Sequence, residues 1–306
     1  MSEETYALSR LDSAFDHAKS LLWPVRWGVW LRLAVVALFV GCGIDSLGNS
    51  NLPYAAGSLV LGSTMSVMAS SIAAFVLVIA LLWLLAGATM QFVFVDMLVT
   101  GDVRIRRSFG ERVGKGARLL LLQGALALLP VLTATAFLFA LIGAGRGGVP
   151  SFPFYVFIPV MLVVALLFRI VLLLTTDFVV PIMICEDCGV IRGWRRLIRM
   201  TSADSRQIAI YIVTRLVLGF IVGIVLAVLV ILTLVVIAIP FVLIGTMLPG
   251  PFQAGNDISI ISSLIPYLII AIPVALLIAV PFITFFRYYA LLVLEGLEPE
   301  YRLLPE

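Results

Sequence analysis

The chain has 306 residues, 62% of them hydrophobic and only 12% charged, with a formal net charge of +3. Ordinary globular domains carry about 25% charged residues, so this composition excludes a water-soluble fold. The longest stretch between apolar blocks is roughly 25 residues, too short for an independent core, which leaves a single integral membrane domain over 1–306.

The first residues are acidic and polar, so no cleavable leader is expected. Within 1–22, Leu8, Leu11, Phe15, Ala18 and Leu22 recur three and four apart, with Arg10, Asp12, Asp16 and Lys19 elsewhere. That spacing predicts an amphipathic helix lying on the inner leaflet. Trp23, Trp27 and Trp30 mark the membrane interface, and the first span is predicted at 27–44. Asp45 to Ser70 contains no Lys or Arg, and a second span follows at 70–97. Arg104 to Arg118 holds six basic residues, where Ile105, Phe109, Val113 and Ala117 suggest a second surface helix. Gly110, Gly114 and Gly116 weaken it.

The third span is predicted at 117–142 and the fourth at 154–180, with Arg146 as the only basic residue between them. After Cys185, Glu186, Asp187 and Cys188 comes a third surface helix. Its Val190, Trp194, Leu197 and Thr201 share one face, and Arg192, Arg195, Arg196 and Arg199 fall largely on the others. The fifth span is predicted at 208–238, within a run that is uncharged, apart from Arg215, as far as Asp257. That run has room for one span or two. No turn cluster divides it and Pro240 comes late, so one long span with a bent outer extension is the reading taken. The sixth span is predicted at 258–294, and 295–306 form a tail.

Seventeen of the twenty Lys and Arg residues fall at the N-terminus, in the two basic connections and at the C-terminus. Basic loops stay on the cytoplasmic side, so both termini are expected in the cytoplasm and the protein in the plasma membrane. The predicted fold class is therefore all-α, a polytopic transmembrane bundle of six spans with three cytoplasmic-side amphipathic interfacial helices. Each of these helices precedes a pair of spans, and two readings fit: a threefold repeat or three unrelated elbows.

The run from Asp177 through Pro181 to Met183, and that from Gly189 through Trp194 to Arg196, resemble a group of uncharacterised archaeal polytopic membrane proteins. Phe286-Arg287-Tyr288-Tyr289-Ala290-Leu291 and Val29-Trp30-Leu31-Arg32-Leu33 fit the same group. The layout is also similar to the membrane portion of bacterial glycerophosphodiester phosphodiesterases. The resemblance implies a six-helix membrane fold and brings no activity. The phosphodiesterase catalytic domain, with its His and acidic metal ligands, has no counterpart in a chain whose single histidine is His17.

Arginine inside an apolar span is expensive, at least ~2.5 kcal/mol near the centre, so it should face protein or water and find a partner. Arg169 lies about 16 Å from the inner end of its span at 1.5 Å per residue, and Arg215 sits inside the fifth. Asp177, Asp96, Thr175 and Thr176 are the candidate partners, and Arg32 and Arg287 flank the same leaflet. Arg169, Arg215, Asp177, Asp96, Arg32 and Arg287 form the candidate intramembrane polar network, which is read as an anion or solute path or as a structural clamp.

Gly219 and Gly223 make a GxxxG pair suited to helix packing. Cys185 and Cys188 have CxxC spacing but no second pair or nearby histidine, so no metal site is expected. Glu186 and Asp187 oppose thiolate formation. Asp45 and Asp96 lie at opposite ends of their spans, which excludes a carboxylate dyad sharing one proton. His17 is read as solvated, and no P-loop, HExxH or GxSxG pattern occurs.

No cofactor is expected. The expected function is that of a non-enzymatic accessory, scaffold or lipid-interacting protein; the alternative is a transporter or channel for an anionic or small solute lined by the arginines. The expected partners are anionic headgroups of membrane lipids, and a membrane protein or a second copy of the chain. Nucleic acid is not expected, because each basic cluster is short and broken by apolar residues.

Overall fold

The computed structural model describes residues 6–23, 26–41, 67–100, 105–144, 152–247 and 257–303. The described residues are almost wholly helical and include no strand. The helices are α1 (Tyr6–Leu22), α2 (Trp27–Gly41), α3 (Val67–Thr100), α4 (Ile105–Ala144) and α5 (Phe152–Leu174). A π-helical turn, Thr175–Val179, joins α5 to α6 (Val180–Cys185). Then come α7 (Val190–Ala203), α8 (Ser205–Met247), α9 (Asp257–Leu297) and a 3-10 turn at Pro299–Tyr301. In an apolar medium every backbone N–H and C=O must be satisfied within its own segment, which is why long apolar runs become helices.

Five segments are long and apolar enough to cross a membrane: Ala74–Val99, Phe109–Phe137, Phe157–Cys185, Ser205–Leu243 and Leu264–Leu297. They correspond to the second to sixth predicted spans. The first is described only as far as Gly41: α2 covers 15 of its residues, and a sixth span is counted when the bent pair Ser9–Leu22 and Trp27–Val40 is taken as one. Residues 42–44, with Cys42, Asp45 and Arg146, lie outside the described residues.

One further expectation is corrected and another holds. The predicted surface helix at 105–117 is no separate element but the first turns of the 40-residue α4. Breaking the helix there would expose backbone groups, whereas Gly116 lets α4 approach α3 closely. The run after Ile208 is one unbroken helix of 43 residues, α8, with Pro240 inside it.

The chain forms two compact units. Unit 1 comprises Met1–Leu38 and Asp204–Gly296, hence α1, most of α2, α8 and nearly all of α9. In it, α1 packs against α8, and Ala14, Ala18 and Leu22 are buried while Phe15 is 59% exposed. Phe15, on the stripe predicted to face lipid, is thus open, whereas Ala18 and Leu22 of that stripe are covered by protein. Tyr211 and Tyr289 stack with ring centroids 5.5 Å apart, Phe285 stacks on Tyr289 at 6.5 Å, and His17 lies 5.8 Å from Tyr288. Trp23 and Trp27 are exposed, and the Trp30 indole donates to the Leu22 carbonyl at 3.2 Å.

Unit 2 comprises Phe39–Ala203 and Leu297–Glu306. Its centre is the α3–α4 pair, where Ala88, Phe92, Val93, Val95 and Leu119 are buried. A Cβ on Gly116 would stand 2.9 Å from the Thr89 Cα, so only glycine permits this approach. α7 rests on the π turn and α6. A Cβ on Gly193 would stand 2.9 Å from Val179 Cγ1.

Candidate functional site

The π turn has a local cause. Pro181 has no N–H to offer the carbonyl of Asp177, and its ring crowds that carbonyl. The ladder responds by widening: the Val180 N–H bonds to the Thr175 carbonyl, five residues back. Thr175 and Thr176 donate their hydroxyls to the Val171 and Leu172 carbonyls at 2.7 and 3.0 Å, a back-bonding that bends helices. The outcome is a buried polar turn in which Asp177 is 3% exposed. Elsewhere in unit 2, Thr89, Gln91 and Gln123 are also buried. Among the described residues, Gln91 Oε1 and Gln123 Nε2 have no hydrogen-bond partner.

A charged cluster begins where α6 ends. Asp187 takes a left-handed conformation, φ 47°, which aspartate tolerates better than most residues. This conformation turns the chain toward α7. Lys115 of α4 donates to the Asp187 carboxylate and, at 3.1 Å, to the Met183 carbonyl at the end of α6. The hydrogen bond and charge of Lys115 hold the Asp187 carboxyl below the usual carboxylate range. Next door, Arg112 pairs with Asp96 at 3.2 Å.

Arg196 of α7 is the hub. Its guanidinium donates to Glu298 at 2.8 Å, to Glu300 at 3.2 Å and to the Tyr301 hydroxyl at 3.1 Å. It also lies 3.7 Å from the Glu186 carboxylate, to which Tyr301 donates its own hydroxyl proton. Burial, and the hydrogen bond to Glu186, push the Tyr301 phenol up to about 12. The cluster therefore joins three stretches of chain: the turn after α6, α7 and the tail.

The six residues of the predicted polar network are divided equally between the two units. Arg32, Arg215 and Arg287 belong to unit 1, and Asp96, Arg169 and Asp177 to unit 2. The Arg215 guanidinium lies 3.8 Å over the Phe286 ring, Arg287 is buried and Arg32 is exposed. Asp96 is engaged by Arg112. Arg169 is exposed on α5. Of the GxxxG pair, a Cβ on Gly223 would meet nothing within 4 Å, and one on Gly219 only the Arg215 guanidinium. The close approaches are made by Gly116 and Gly193 instead.

α7 also departs from expectation. Val190 and Leu197, predicted to face lipid, are buried with Gly193, because α7 spends that face on the π turn. Cys188 is buried and Cys185 exposed. Burial, with Glu186 nearby, pushes the Cys188 thiol up, away from the thiolate that redox or metal chemistry needs. Among the described residues no group of three or more His, Cys, Asp or Glu side chains is placed to hold a metal ion.

Arg112, Lys115, Arg196, Glu298, Glu300 and Tyr301 were not singled out from the sequence. One signal was available: Glu186 and Asp187 sit between the two cysteines, and it is these acids that make the contacts. The tail carried a second, with two glutamates and a tyrosine within four residues.

A family model described as a family of unknown function (DUF7544) matches residues 5–304. The chain belongs to this family. The match covers nearly all of both units and carries no activity with it. No curated protein and no solved structure matches the chain.

Proposed function

We propose that this DUF7544 member is a multi-pass protein of the plasma membrane, with both termini cytoplasmic, that acts without catalysis as a lipid-interacting accessory or scaffold unit. The observation that carries the reading is the Arg196 cluster. Its charges are spent on one another, tying α7, the turn after α6 and the tail into a fixed platform at the end of a membrane-length helix. A platform of paired charges holds a shape and presents a surface, which suits assembly better than turnover. The sequence layout, which resembles the membrane portion of glycerophosphodiester phosphodiesterases, is part of the same proposal and favours a lipid-facing role. An archaeal source belongs to the same proposal.

Native mass spectrometry of the protein extracted from its own membrane tests this. A stoichiometric protein partner or a retained lipid is the expected result. A bare monomer whose reconstitution confers solute flux would overturn it.

A second reading, a transporter or channel for an anionic or small solute, draws on a different observation. Asp177 is buried in a π turn, a feature common at functional sites, and unit 2 also holds the unpaired Gln91 Oε1 and Gln123 Nε2. Loss of flux in reconstituted Asp177→Asn or Arg169→Gln, with folding intact, would favour it.

A further inference from the structure

α7 turns one face to the π turn, and its opposite face carries a pattern of its own. At 100° per residue, Ile198, Ile191, Ser202, Arg195, Arg199 and Arg192 follow one another around an arc of roughly 120°. Apolar residues stand at one edge and guanidinium groups at the other. All six are exposed, Ile191 at 73% and Ile198 at 57%.

Arg196, about 40° further around the wheel, is held by Glu186, Glu298 and Glu300. Arg192, Arg195 and Arg199 make no ion pair among the described residues. The carboxylates that adjoin the start of α7 are already engaged, Asp187 by Lys115 and Glu186 by Arg196. Asp204 stands beyond its last turn.

The connectivity limits where this face can lie. Four residues separate α7 from the membrane-length helix ending at Cys185, and Asp204 alone separates it from the one beginning at Ser205. A helix tied so closely at both ends is held near the headgroup level. There the exposed isoleucines suit the acyl boundary and the arginines suit phosphate.

We propose that the Ile191–Ile198–Arg195–Arg199–Arg192 face of α7 docks on an anionic phospholipid surface, with phosphodiester headgroups against the three guanidinium groups and the two isoleucines in the acyl boundary. This rests on the lipid-interacting reading above and assigns it a site and a lipid charge class. Glu298 and Glu300 neutralise Arg196 and leave three arginines to the lipid.

The test is a titration of the purified full-length protein with phosphatidylglycerol and with phosphatidylcholine, followed by native mass spectrometry. The wild type is expected to retain phosphatidylglycerol selectively. The triple variant Arg192→Gln/Arg195→Gln/Arg199→Gln is expected to lose affinity on the order of 100-fold, about fivefold per arginine, with its thermal midpoint in lipid-free detergent unchanged. The corresponding triple Arg→Lys variant should keep most of the affinity, since a lysine carries the same charge to the surface. Ile191→Ser/Ile198→Ser should weaken retention with every arginine in place.

Should the triple Gln variant fail to fold, Arg195→Gln alone must still lose about fivefold. A wild type selective for phosphatidylglycerol with an equally selective triple variant would leave the lipid reading standing and overturn this site. A wild type with no preference for the anionic lipid would sink both. An acidic protein or nucleic acid captured by the wild type and lost in the triple variant, with lipid retention equal in the two, would replace the lipid by a macromolecular partner and overturn the proposal.

Discussion

Arg215 in unit 1 and Arg196 in unit 2 are both held at close range, but by different chemistry. Arg215 lies inside the apolar helix α8 and is received by the face of the Phe286 ring at 3.8 Å. Arg196 lies on α7, outside the membrane-length segments, and is received by three carboxylates and a phenol. A ring face stabilises a cation without bringing a second charge into an apolar medium. A carboxylate cage suits the wetter end of a helix, where each ion keeps part of its hydration. The surroundings choose the partner, and the same contrast runs through the packing. Unit 1 fills its centre with stacked tyrosine and phenylalanine rings, whereas unit 2 brings helix backbones together at Gly116 and Gly193.

The largest expected effect comes from filling those close approaches. Gly116→Val and Gly193→Val should each destabilise unit 2 by about 1–3 kcal/mol through overpacking, measured as a lower thermal midpoint in detergent. Gly223→Ala in unit 1, with open space around it, should hold or gain up to ~1 kcal/mol from helix propensity. Equal losses at Gly116 and Gly223 would erase the distinction between the two units.

Next is Phe286→Leu, which keeps apolar bulk and removes the ring under Arg215. A loss of about 0.5–2 kcal/mol is expected. In an Arg215→Leu background the same change should have a smaller effect, and a double-mutant cycle measures the difference.

Titration probes the cage around Arg196. The Tyr301 phenol is raised in the folded protein from an ordinary value near 10 to about 12. The stabilisation it provides is present below pH 10 and is lost as the pH rises through 10–12. Tyr301→Phe should lack this alkaline component, and thermal midpoints across that range would show it.

Asp187→Asn should have the smallest effect. The folded-state carboxyl titrates below its ordinary value, so its contribution is present above about pH 4 and fades as the pH falls below that. The aspartate is highly exposed in its pair with Lys115, which keeps the effect small at neutral pH. Wild type and variant should converge in acid, and midpoints that stay apart would assign Asp187 a backbone role through its left-handed conformation.

Apolar blocks were the legible part of this chain, and the site was mostly not. The second span, predicted at 70–97, is helix from Val67 to Thr100, and the fifth run is a single helix as expected. The predicted lipid-facing stripes of α1 and α7 failed at Ala18, Leu22, Val190 and Leu197, which protein covers, because periodicity identifies a stripe without saying whether lipid or protein will cover it. Arg169, Arg215 and Asp177 stood out because a charge in an apolar run is conspicuous. Lys115 and Arg196 did not, because a basic residue in a basic segment looks ordinary until its partner is known.

The sequence by itself determined that the chain is helical and membrane-length in repeated segments, since backbone satisfaction in an apolar medium leaves little else. Some bounds were close, as at 70–97 against Val67–Thr100, whereas the helix predicted from 117 begins at Ile105. Only the tertiary structure decided that 105–117 continues into α4, that Gly116 and Gly193 are the contact glycines, and that Arg196 meets Glu298 across 102 positions of sequence. Those outcomes depend on which surfaces meet. Hydropathy and helical period are properties of one segment, while a close approach or an ion pair belongs to two.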